Sequence, residues 1–535
     1  MARYTALLLL VVAFLLGFGQ RLPALGATAK DPKEEFKSAQ QEAARGDSTA
    51  MHYMGVCYHK GDGVEKDDKE AVKWFRKAAE LGESGAMLDL GLCYTDALGV
   101  ERDSKEAVKW FRKAADLNEP NAMAVLGHCY QEGIGVEKDQ KEAVKWFRKA
   151  APLLRVAADL GDAEVMCRLG LCYLHGKGVD EPEKEAVKWF RKAAERGDAR
   201  AMSNLGSCYM NGQGVEKDEK EGVRWFQKAA DLGHSQAMHN LGICYHEGDG
   251  VEKDYKEAVK WFRKAAELGE IGAMLDLGLC YRDAIGIEDD AKEAVKWFRK
   301  AAELGNGQGM SNLGLCYAQG IGVQKDTKEA IAWYRKGADL GNSYAMHNLA
   351  MCYIDGRGVE KDLKEGVKWL RKAADLGHVG AMATLGAFYL AGTGVEKDLK
   401  EGVRWLRKVA DLGDGEAMGL VGECYLMGMG VETDVKEGMR LIRKAVDLGD
   451  SRAMFYLGVC YRDGTGVPKN LELALFLFDK AADLGNTSAM YSIGIMYSQG
   501  TGVPKDESKA IDWLRKAAAL GDAGAKAALE RRGVK

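Results

Sequence analysis

Residues 50–85 read AMHYMGVCYHKGDGVEKDDKEAVKWFRKAAELGESG, and this stretch decides the fold because twelve further copies of it follow. The copies fill residues 50–524, and each begins 36 residues after the last except the fourth, which begins at residue 165, 43 residues after residue 122. A fixed period of this size is typical of solenoids, in which each unit covers the apolar faces of its neighbours. The sequence therefore predicts an elongated stack that counts as one architectural domain.

Two helical patterns, here called helix A and helix B, alternate with glycine-rich loops in every copy. In each pattern apolar residues recur at the spacing of one helix face. They are Ala50, Met54, Cys57 and Tyr58 in the first helix A and Ala71, Trp74 or Phe75, Ala78 and Leu81 in the first helix B. The predicted fold is all-α, with about thirteen two-helix repeats.

The ends of helix B carry their own signals. Asp67 and Glu70 have the spacing of a capping box, in which each side chain would accept from a backbone N–H of the other. Gly82 follows the last turn, where a left-handed residue is expected. Gly55, inside helix A, indicates close approach of a neighbouring helix, and the recurring tryptophans such as Trp74 indicate core or inter-repeat packing. The repeated acids are thus helix ends, which argues against a catalytic role.

Charge and cysteine usage exclude several classes of function. The formal net charge is −4, from 76 basic and 80 acidic residues that are mixed within every repeat, so no basic surface for nucleic acid is expected. Eleven of the twelve cysteines occupy one repeat position, where stacked units place them too far apart for disulfides. We expect buried free thiols, no metal site and no cofactor.

The regions outside the copies have distinct compositions. Residues 1–26 combine Arg3, an apolar run and small residues before Ala27, which predicts a cleaved secretory signal, with an uncleaved anchor as the alternative. Residues 27–49 are predicted to form a linker and capping helix, and residues 525–535 a capping half-repeat. Seven extra residues near 152–159 predict a lengthened or kinked helix B and a break in superhelical phase. The mature chain is expected to be exported to the periplasm, the cell surface or the medium, or to the lumen of the secretory pathway if the source is eukaryotic, without stable membrane insertion.

The motifs A-x-x-x-L-G-x-x-Y, G-x-G-V-x-x-D and A-x-x-W-F/Y-x-K-A-A-x-x-G resemble those of the Sel1-like repeat family, relatives of the tetratricopeptide repeats. The resemblance implies a right-handed α/α superhelix that serves as an adaptor scaffold. Some secreted cysteine-rich members are associated with β-lactam hydrolysis or penicillin binding. This chain has one cysteine per repeat instead of a disulfide pair, and it contains no S-x-x-K, so that activity is not expected to transfer.

Variable positions of helix A are the candidate partner-binding positions. By analogy with tetratricopeptide stacks, the third, fourth, seventh, tenth and eleventh residues of each copy would line a concave surface. The fourth position supplies candidate binding residues in the fifth to ninth repeats: Asn204, Asn240, Asp276, Asn312 and Asn348. Amides carry donors and an acceptor that can pair with the backbone of an extended peptide. The alternative is that these asparagines are solvated or bond to a neighbouring helix.

Histidines concentrate at the same variable positions. His239, His246 and His347 are predicted to add polarity to the groove and to make partner binding weakly pH-sensitive. His52 and His59 are two helical turns apart, too far to share a metal without other ligands, so a zinc site is not favoured.

The leading functional prediction is an exported non-enzymatic scaffold that binds a protein or peptide partner. A cell-wall or carbohydrate-binding module is the second possibility, for which the tryptophan rings would have to be exposed, and a β-lactamase-like hydrolase is the third. No nucleophile, base and acid stand together outside the repeat pattern, so no catalytic residues are assigned.

Overall fold

A computed structural model describes residues 31–176 and 181–534, which contain twenty-eight helices and no strand. The predicted signal at residues 1–26 lies outside the described residues. The helices are α1 (Pro32–Ala44), α2 (Ser48–Lys60), α3 (Asp68–Glu80), α4 (Ser84–Asp96), α5 (Ser104–Asp116), α6 (Pro120–Glu132), α7 (Gln140–Asp159), α8 (Ala163–Gly176), α9 (Pro182–Glu195), α10 (Ala199–Asn211), α11 (Glu219–Asp231), α12 (Ser235–Glu247), α13 (Tyr255–Glu267), α14 (Ile271–Asp283), α15 (Ala291–Glu303), α16 (Gly307–Gln319), α17 (Thr327–Asp339), α18 (Ser343–Asp355), α19 (Leu363–Asp375), α20 (Val379–Ala391), α21 (Leu399–Asp411), α22 (Gly415–Met427), α23 (Val435–Asp447), α24 (Ser451–Asp463), α25 (Leu471–Asp483), α26 (Thr487–Gln499), α27 (Glu507–Ala519) and α28 (Ala523–Glu530).

Each repeat supplies an even-numbered helix A and the odd-numbered helix B that follows it. Consecutive helices pack against each other within each of two compact units, and the division between the units falls between Asp290 and Ala291. The first unit contains α1–α14 and the second contains α15–α28. The prediction of an all-α solenoid of two-helix repeats is confirmed.

Helix B begins with the predicted aspartate cap, but the reciprocal half of the capping box is wrong. The Asp67 side chain accepts from the backbone N–H groups of Lys69 and Glu70. The backbone N–H of Asp67 donates instead to the carbonyl of Tyr58 at 2.9 Å, which closes the loop between the two helices. Because this bond already uses the amide, the Glu70 side chain is released and pairs with Lys73 one turn later.

The glycine inside helix A lies against an aromatic ring of helix B in the same repeat. A Cβ on Gly55 would stand 2.5 Å from Cδ1 of Phe75, whose side chain is fully buried. The predicted close helix approach is therefore confirmed, and the ring explains it. Ala350, the one helix A copy with alanine here, belongs to the repeat in which Leu370 takes the place of the phenylalanine.

The placement of Leu81 in the apolar stripe of helix B is wrong. Leu81 is the C-cap of α3 and is 57 % exposed, because the helix ends at Glu80 and the next residue no longer follows the buried face. Ala79 fills the buried position instead. The equivalent leucines are exposed in eleven further repeats: Leu117, Leu160, Leu232, Leu268, Leu304, Leu340, Leu376, Leu412, Leu448, Leu484 and Leu520.

The tryptophans of helix B pack as predicted. Trp189 and Trp405 are 2 % exposed, and Trp74 is half-buried. The ammonium of Lys77 lies 4.3 Å from the ring centre of Trp74, and the lysine three residues after each other tryptophan covers it in the same way. The rings do not form the exposed aromatic ladder that a carbohydrate-binding surface would need.

All twelve cysteines are buried free thiols, including the eleven at the shared repeat position and Cys167 outside it. Burial raises the pKa of the Cys129 thiol to about 12, so it stays protonated near neutral pH.

The loop glycines hold successive repeats close together. Gly61 ends α2 at φ 81°, and Gly99 has φ 68°. A Cβ on Gly99 would lie 2.1 Å from the carbonyl oxygen of Asp68, at the start of the preceding helix B. The glycine-rich segment is therefore a turn that packs on the preceding repeat.

The seven-residue insertion lengthens one helix B. α7 runs for 20 residues with Pro152 in its interior, which confirms the predicted lengthening. The break in superhelical phase stays a prediction. Residues 27–49 and 525–535 were expected to form helices that cover the two ends of the solenoid. In the described chain α1 begins after Asp31 and α28 begins after Asp522, and each aspartate is the N-cap of its helix.

Candidate binding face

Adjacent A helices meet through the third residue of one repeat and the fourth residue of the next. We call the side chains at these two positions the junction row. Among the described residues the row contains four hydrogen-bonded pairs: His52–Asp89, Cys167–Asn204, His239–Asp276 and Ser311–Asn348. The fold fixes which positions meet, whereas the side chains decide whether the pair is charged or neutral.

Two predicted asparagines bond to the preceding repeat. The Nδ2 of Asn204 donates to the Sγ of Cys167 at 3.5 Å, and the Nδ2 of Asn348 donates to the Oγ of Ser311 at 3.4 Å. These contacts match the alternative in which the asparagines bond to a neighbouring helix. The first contact is weak because a thiol sulfur is a poor acceptor, and the second is weak because 3.4 Å is long for an N–H···O bond.

Asn240 and Asn312 are held by their own helices. The Oδ1 atom of each accepts from a glutamine one turn earlier, Gln236 or Gln308, at 3.3 Å. Among the described residues, neither Nδ2 group has a hydrogen-bond partner. Asn240 is only 7 % exposed, so its carboxamide lies at the floor of the surface.

Asp276 and His239 form a charged pair that the sequence did not predict. The Nε2 of His239 lies 2.8 Å from the Oδ2 of Asp276, and His239 is buried. Burial by itself would lower the pKa of His239, but the hydrogen bond and charge of Asp276, together with the charge of Glu270, raise it above its ordinary value. Both residues were predicted to bind a partner, and they contact each other.

The other two predicted histidines lie apart from His239. The Nδ1 of His246 is 3.2 Å from Glu247, and its ring packs edge-on against Tyr255 at the start of helix B. His347 stacks on His378 with the ring centres 4.5 Å apart. The structure therefore spreads the predicted histidines over three separate environments.

His378 was missed by the sequence reading. Its Nδ1 accepts from the backbone N–H of Ala381 at 3.0 Å, so it is the N-cap of α20. Burial lowers the pKa of His378 to about 4, and His347 adds to the effect. The signal was present, because Asp198 and Asn306 are caps at the same repeat position.

Residues 31–176 and 181–534 contain no group of three or more histidine, cysteine or carboxylate side chains arranged to hold a metal. No helix in the described part of the chain has the length and apolar character that crossing a bilayer requires.

The Sel1 repeat model matches thirteen segments of the chain, which nearly tile the helical pairs described above. They are residues 48–83, 84–119, 120–151, 163–198, 199–234, 235–270, 271–306, 307–342, 343–378, 379–414, 415–450, 451–486 and 487–522. The chain belongs to the Sel1 repeat family. The segment breaks coincide with the insertion, since residues 152–162 are the one internal stretch left unmatched.

Solved structures of Sel1-type proteins are similar to this chain. A protective antigen of uropathogenic Escherichia coli that displays an SLR fold is 30% identical over 93% of this chain and 97% of its own, with a TM-score of 0.48. A Sel1 repeat protein from Oxalobacter formigenes is 33% identical over 46% of this chain and 96% of its own, with a TM-score of 0.43. Cysteine rich protein B of Helicobacter pylori is 28% identical over 25% of this chain and 92% of its own, with a TM-score of 0.19. A search among curated proteins finds no match.

Proposed function

We propose that this Sel1 repeat protein is an exported, non-enzymatic scaffold that binds a protein or peptide partner through the junction row. Sel1 repeat solenoids typically take part in protein–protein interactions. The observation that carries the proposal is that the Nδ2 groups of Asn240 and Asn312 have no partner within the described chain. An unpaired amide donor on a rigid helix is suited to a backbone carbonyl of an extended peptide.

The frame around the row supports this use. Gly55 and Phe75 recur in eight of the thirteen repeats and other buried side chains replace the phenylalanine in the rest, whereas the fourth position of the junction row changes from Asn240 to Asp276 to Asn312 between neighbours. Because the helix packing does not depend on the residues of the junction row, those residues can change to suit a binding partner. The row would offer one stretch on α10–α14 and another on α16–α18, each within its own unit.

The non-enzymatic part of the proposal follows from the roles of the reactive side chains. Asp67 and its counterparts accept backbone N–H groups as helix caps. Thiols such as Cys129 are buried and protonated. Export is proposed from residues 1–26, whose apolar run and small residues are typical of a secretory signal.

Site-specific photo-cross-linking tests the binding surface. A photoreactive residue in place of Asn240 or Asn312 should capture a defined partner from the exported fraction, and mass spectrometry would identify it. The partner's affinity for the purified chain should then fall about tenfold or more when Asn204, Asn240, Asn312 and Asn348 are all changed to Ala, since each lost hydrogen bond contributes about 1 kcal/mol.

The matched control changes exposed lysines of helix B to alanine. Lys260 and Lys296 lie on the B helices α13 and α15 and are more than half exposed, and Lys260→Ala with Lys296→Ala should leave the affinity unchanged. Equal affinity of the four-asparagine variant and the wild-type chain would reject the junction row as the binding surface. Hydrolysis of a β-lactam by the purified chain would reject the non-enzymatic assignment.

A further inference from the structure

Two pairs of repeats share a feature that the other repeats lack. In the first pair AMH (50–52) is followed by ESGAMLD (83–89), and in the second AMH (237–239) is followed by EIGAMLD (270–276). Both pairs lie in the first unit. Each places a histidine in the junction row beside two carboxylates, one at the N-cap of the next helix A and one within that helix.

In the first cluster one imidazole bridges both carboxylates. The Nε2 of His52 is 2.7 Å from the Oδ2 of Asp89, and its Nδ1 is 3.4 Å from the Oε2 of Glu83. Glu83 also accepts the backbone N–H of Ala86 as the N-cap of α4. The imidazole thus joins α2 both to the cap of α4 and to the face of α4.

The second cluster contains the equivalent residues, but its histidine bonds only the aspartate and not the glutamate. The Nε2 of His239 bonds Asp276 at 2.8 Å. The Nδ1 of His239 and the Oε2 of Glu270 are both buried and have no hydrogen-bond partner, and Glu270 is 1 % exposed. A buried ring nitrogen and a buried carboxylate oxygen that lack hydrogen-bond partners each cost free energy. That cost is removed if the two atoms bond to each other.

A glycine makes room for the imidazole in both clusters. A Cβ on Gly272 would lie 2.5 Å from the Cε1 of His239 and 3.4 Å from the Oε1 of Glu270. A Cβ on Gly85 would lie 2.8 Å from the Cε1 of His52 and 3.2 Å from the Oε2 of Glu83. The imidazole and the capping glutamate of each cluster therefore lie against the first turn of the next helix A, at a position where only glycine leaves enough room.

We propose that His52 with Asp89 and Glu83, and His239 with Asp276 and Glu270, are proton-dependent clips between adjacent A helices. The imidazolium form donates from both ring nitrogens, one to the aspartate and the other to the capping glutamate. When the Nδ1 proton leaves to solvent, the bond to the aspartate remains and the glutamate faces a lone pair. The junctions α2–α4 and α12–α14 therefore loosen as the pH rises, independently of any partner bound to the row.

Every charged group that faces the two rings favours protonation. His52 faces Asp89 of α4 and the N-cap residues Glu83 and Glu119 of α4 and α6, while the Phe75 ring covers it from helix B. His239 faces Asp276 and Glu270, and the Phe262 ring covers it from helix B. Burial alone would lower both pKa values, but the aspartate bonds and the acidic charges raise them above 6.5.

The sign of the pH effect follows from these shifts. A histidine whose pKa is raised on folding adds stability that is complete below the unfolded pKa of about 6.5 and is lost as the pH rises through the folded pKa. Burial also raises the pKa of Glu270, so the second clip needs a pH high enough to ionise that carboxyl. Both clips should therefore weaken as the pH rises above about 6.5.

Imidazole NMR of the full chain, with the signals assigned by single His→Gln changes, measures the first step. The Cε1–H signals of His52 and His239 should titrate with midpoints above 6.5. Glu83→Gln should lower the midpoint of His52 only, and Glu270→Gln that of His239 only. Midpoints at or below 6.5, or midpoints unmoved by both changes, would overturn the clips.

Hydrogen exchange measures the second step. Protection factors at the start of α4 and α14 should fall as the pH is raised from 6.5 through the histidine midpoints, by about tenfold for each unit by which the midpoint exceeds 6.5. The start of α18 is the matched control, because its junction uses the neutral Ser311–Asn348 pair. Constant protection at α4 and α14, or an equal fall at α18, would contradict the proposal.

Discussion

The junction between α12 and α14 and the junction between α16 and α18 use the same two positions with opposite chemistry. The first joins His239 to Asp276 at 2.8 Å, and the second joins Ser311 to Asn348 at 3.4 Å. In both cases the helices pack through buried alanine and leucine residues and through the loop glycines. Apolar packing is thus common to both junctions, whereas the paired side chains of the junction row differ, and we propose that this difference sets the strength and pH response of each contact.

The largest effect should come from the packing that the two junctions share. A Cβ on Gly242 in α12 would stand 2.5 Å from Cδ1 of Phe262, so Gly242→Ala should destabilise that repeat by about 1–3 kcal/mol despite the better helix propensity of alanine. Local opening free energies from hydrogen exchange measure the change.

Two changes test the cause of that loss. Adding Phe262→Leu should recover much of it, because Ala350 in α18 coexists with Leu370. Greater stability of Gly242→Ala alone would show that the ring does not set the spacing.

The second effect separates the two junctions. His239→Ala removes a buried, charge-assisted bond and should cost about 2 kcal/mol at pH 6, whereas Ser311→Ala removes a long neutral bond and should cost about 0.5 kcal/mol. Hydrogen exchange at α14 and α18 reports each local free energy of opening. Similar losses for both variants would break the distinction between the junctions.

The third effect reverses the sign of the pH response at another histidine. His378 caps α20 through an unprotonated Nδ1, and its pKa is lowered to about 4, so its contribution is complete above pH 6.5 and is lost as the pH falls towards 4. Loss of one cap costs about 1 kcal/mol. The difference in opening free energy of α20 between pH 7 and pH 4.5 measures it.

Asparagine supplies the control for this cap. Asn342 caps α18 from the same repeat position, and it does not titrate. His378→Asn should therefore keep α20 stable at pH 7 and remove its sensitivity to acid, whereas an unchanged acid response would place the titrating group elsewhere.

The smallest effect concerns the lysines of helix B, which lie outside the junction row. The ammonium of Lys264 lies 4.1 Å from the ring centre of Trp261, so Lys264→Ala should cost about 0.5–1 kcal/mol. Lys260→Ala removes only a solvent-exposed pair with Glu257 and should leave stability unchanged. Urea unfolding measures the loss of stability in each variant, and a larger loss for Lys260→Ala than for Lys264→Ala would contradict this account of helix B.

The repeat period was sufficient to predict the helices, their aspartate caps, the glycine contact and the buried thiols. Each of these depends on interactions within one repeat, which recur at fixed spacing in the sequence. Leu81 was placed wrongly because the last helical residue is set by the following glycine turn rather than by the apolar stripe. The reciprocal contact of Glu70 failed because the Tyr58 carbonyl, nine residues earlier than Asp67, takes the amide.

The contacts of the junction row could not be predicted in the same way. Pairing of His239 with Asp276 depends on how one helix A slides along the next, and a repeat period does not give that lateral register. No sequence signal indicated that Glu270 borders His239, because the N-cap of α14 and the histidine of α12 are 31 residues apart in the chain. The predicted roles of Asn204, Asn240, Asn312 and Asn348 in partner binding stay predictions.

A double-mutant cycle on the two junctions tests the central claim most directly, namely that side chains of the row couple adjacent repeats with strengths set by their chemistry. The local free energy of opening would be measured at pH 6 for His239→Ala, Asp276→Ala and the double variant, and likewise for Ser311→Ala, Asn348→Ala and their double variant. We predict a coupling energy of about 1–2 kcal/mol for the histidine–aspartate pair and about 0.5 kcal/mol or less for the serine–asparagine pair. Equal couplings, or none at His239, would contradict the account.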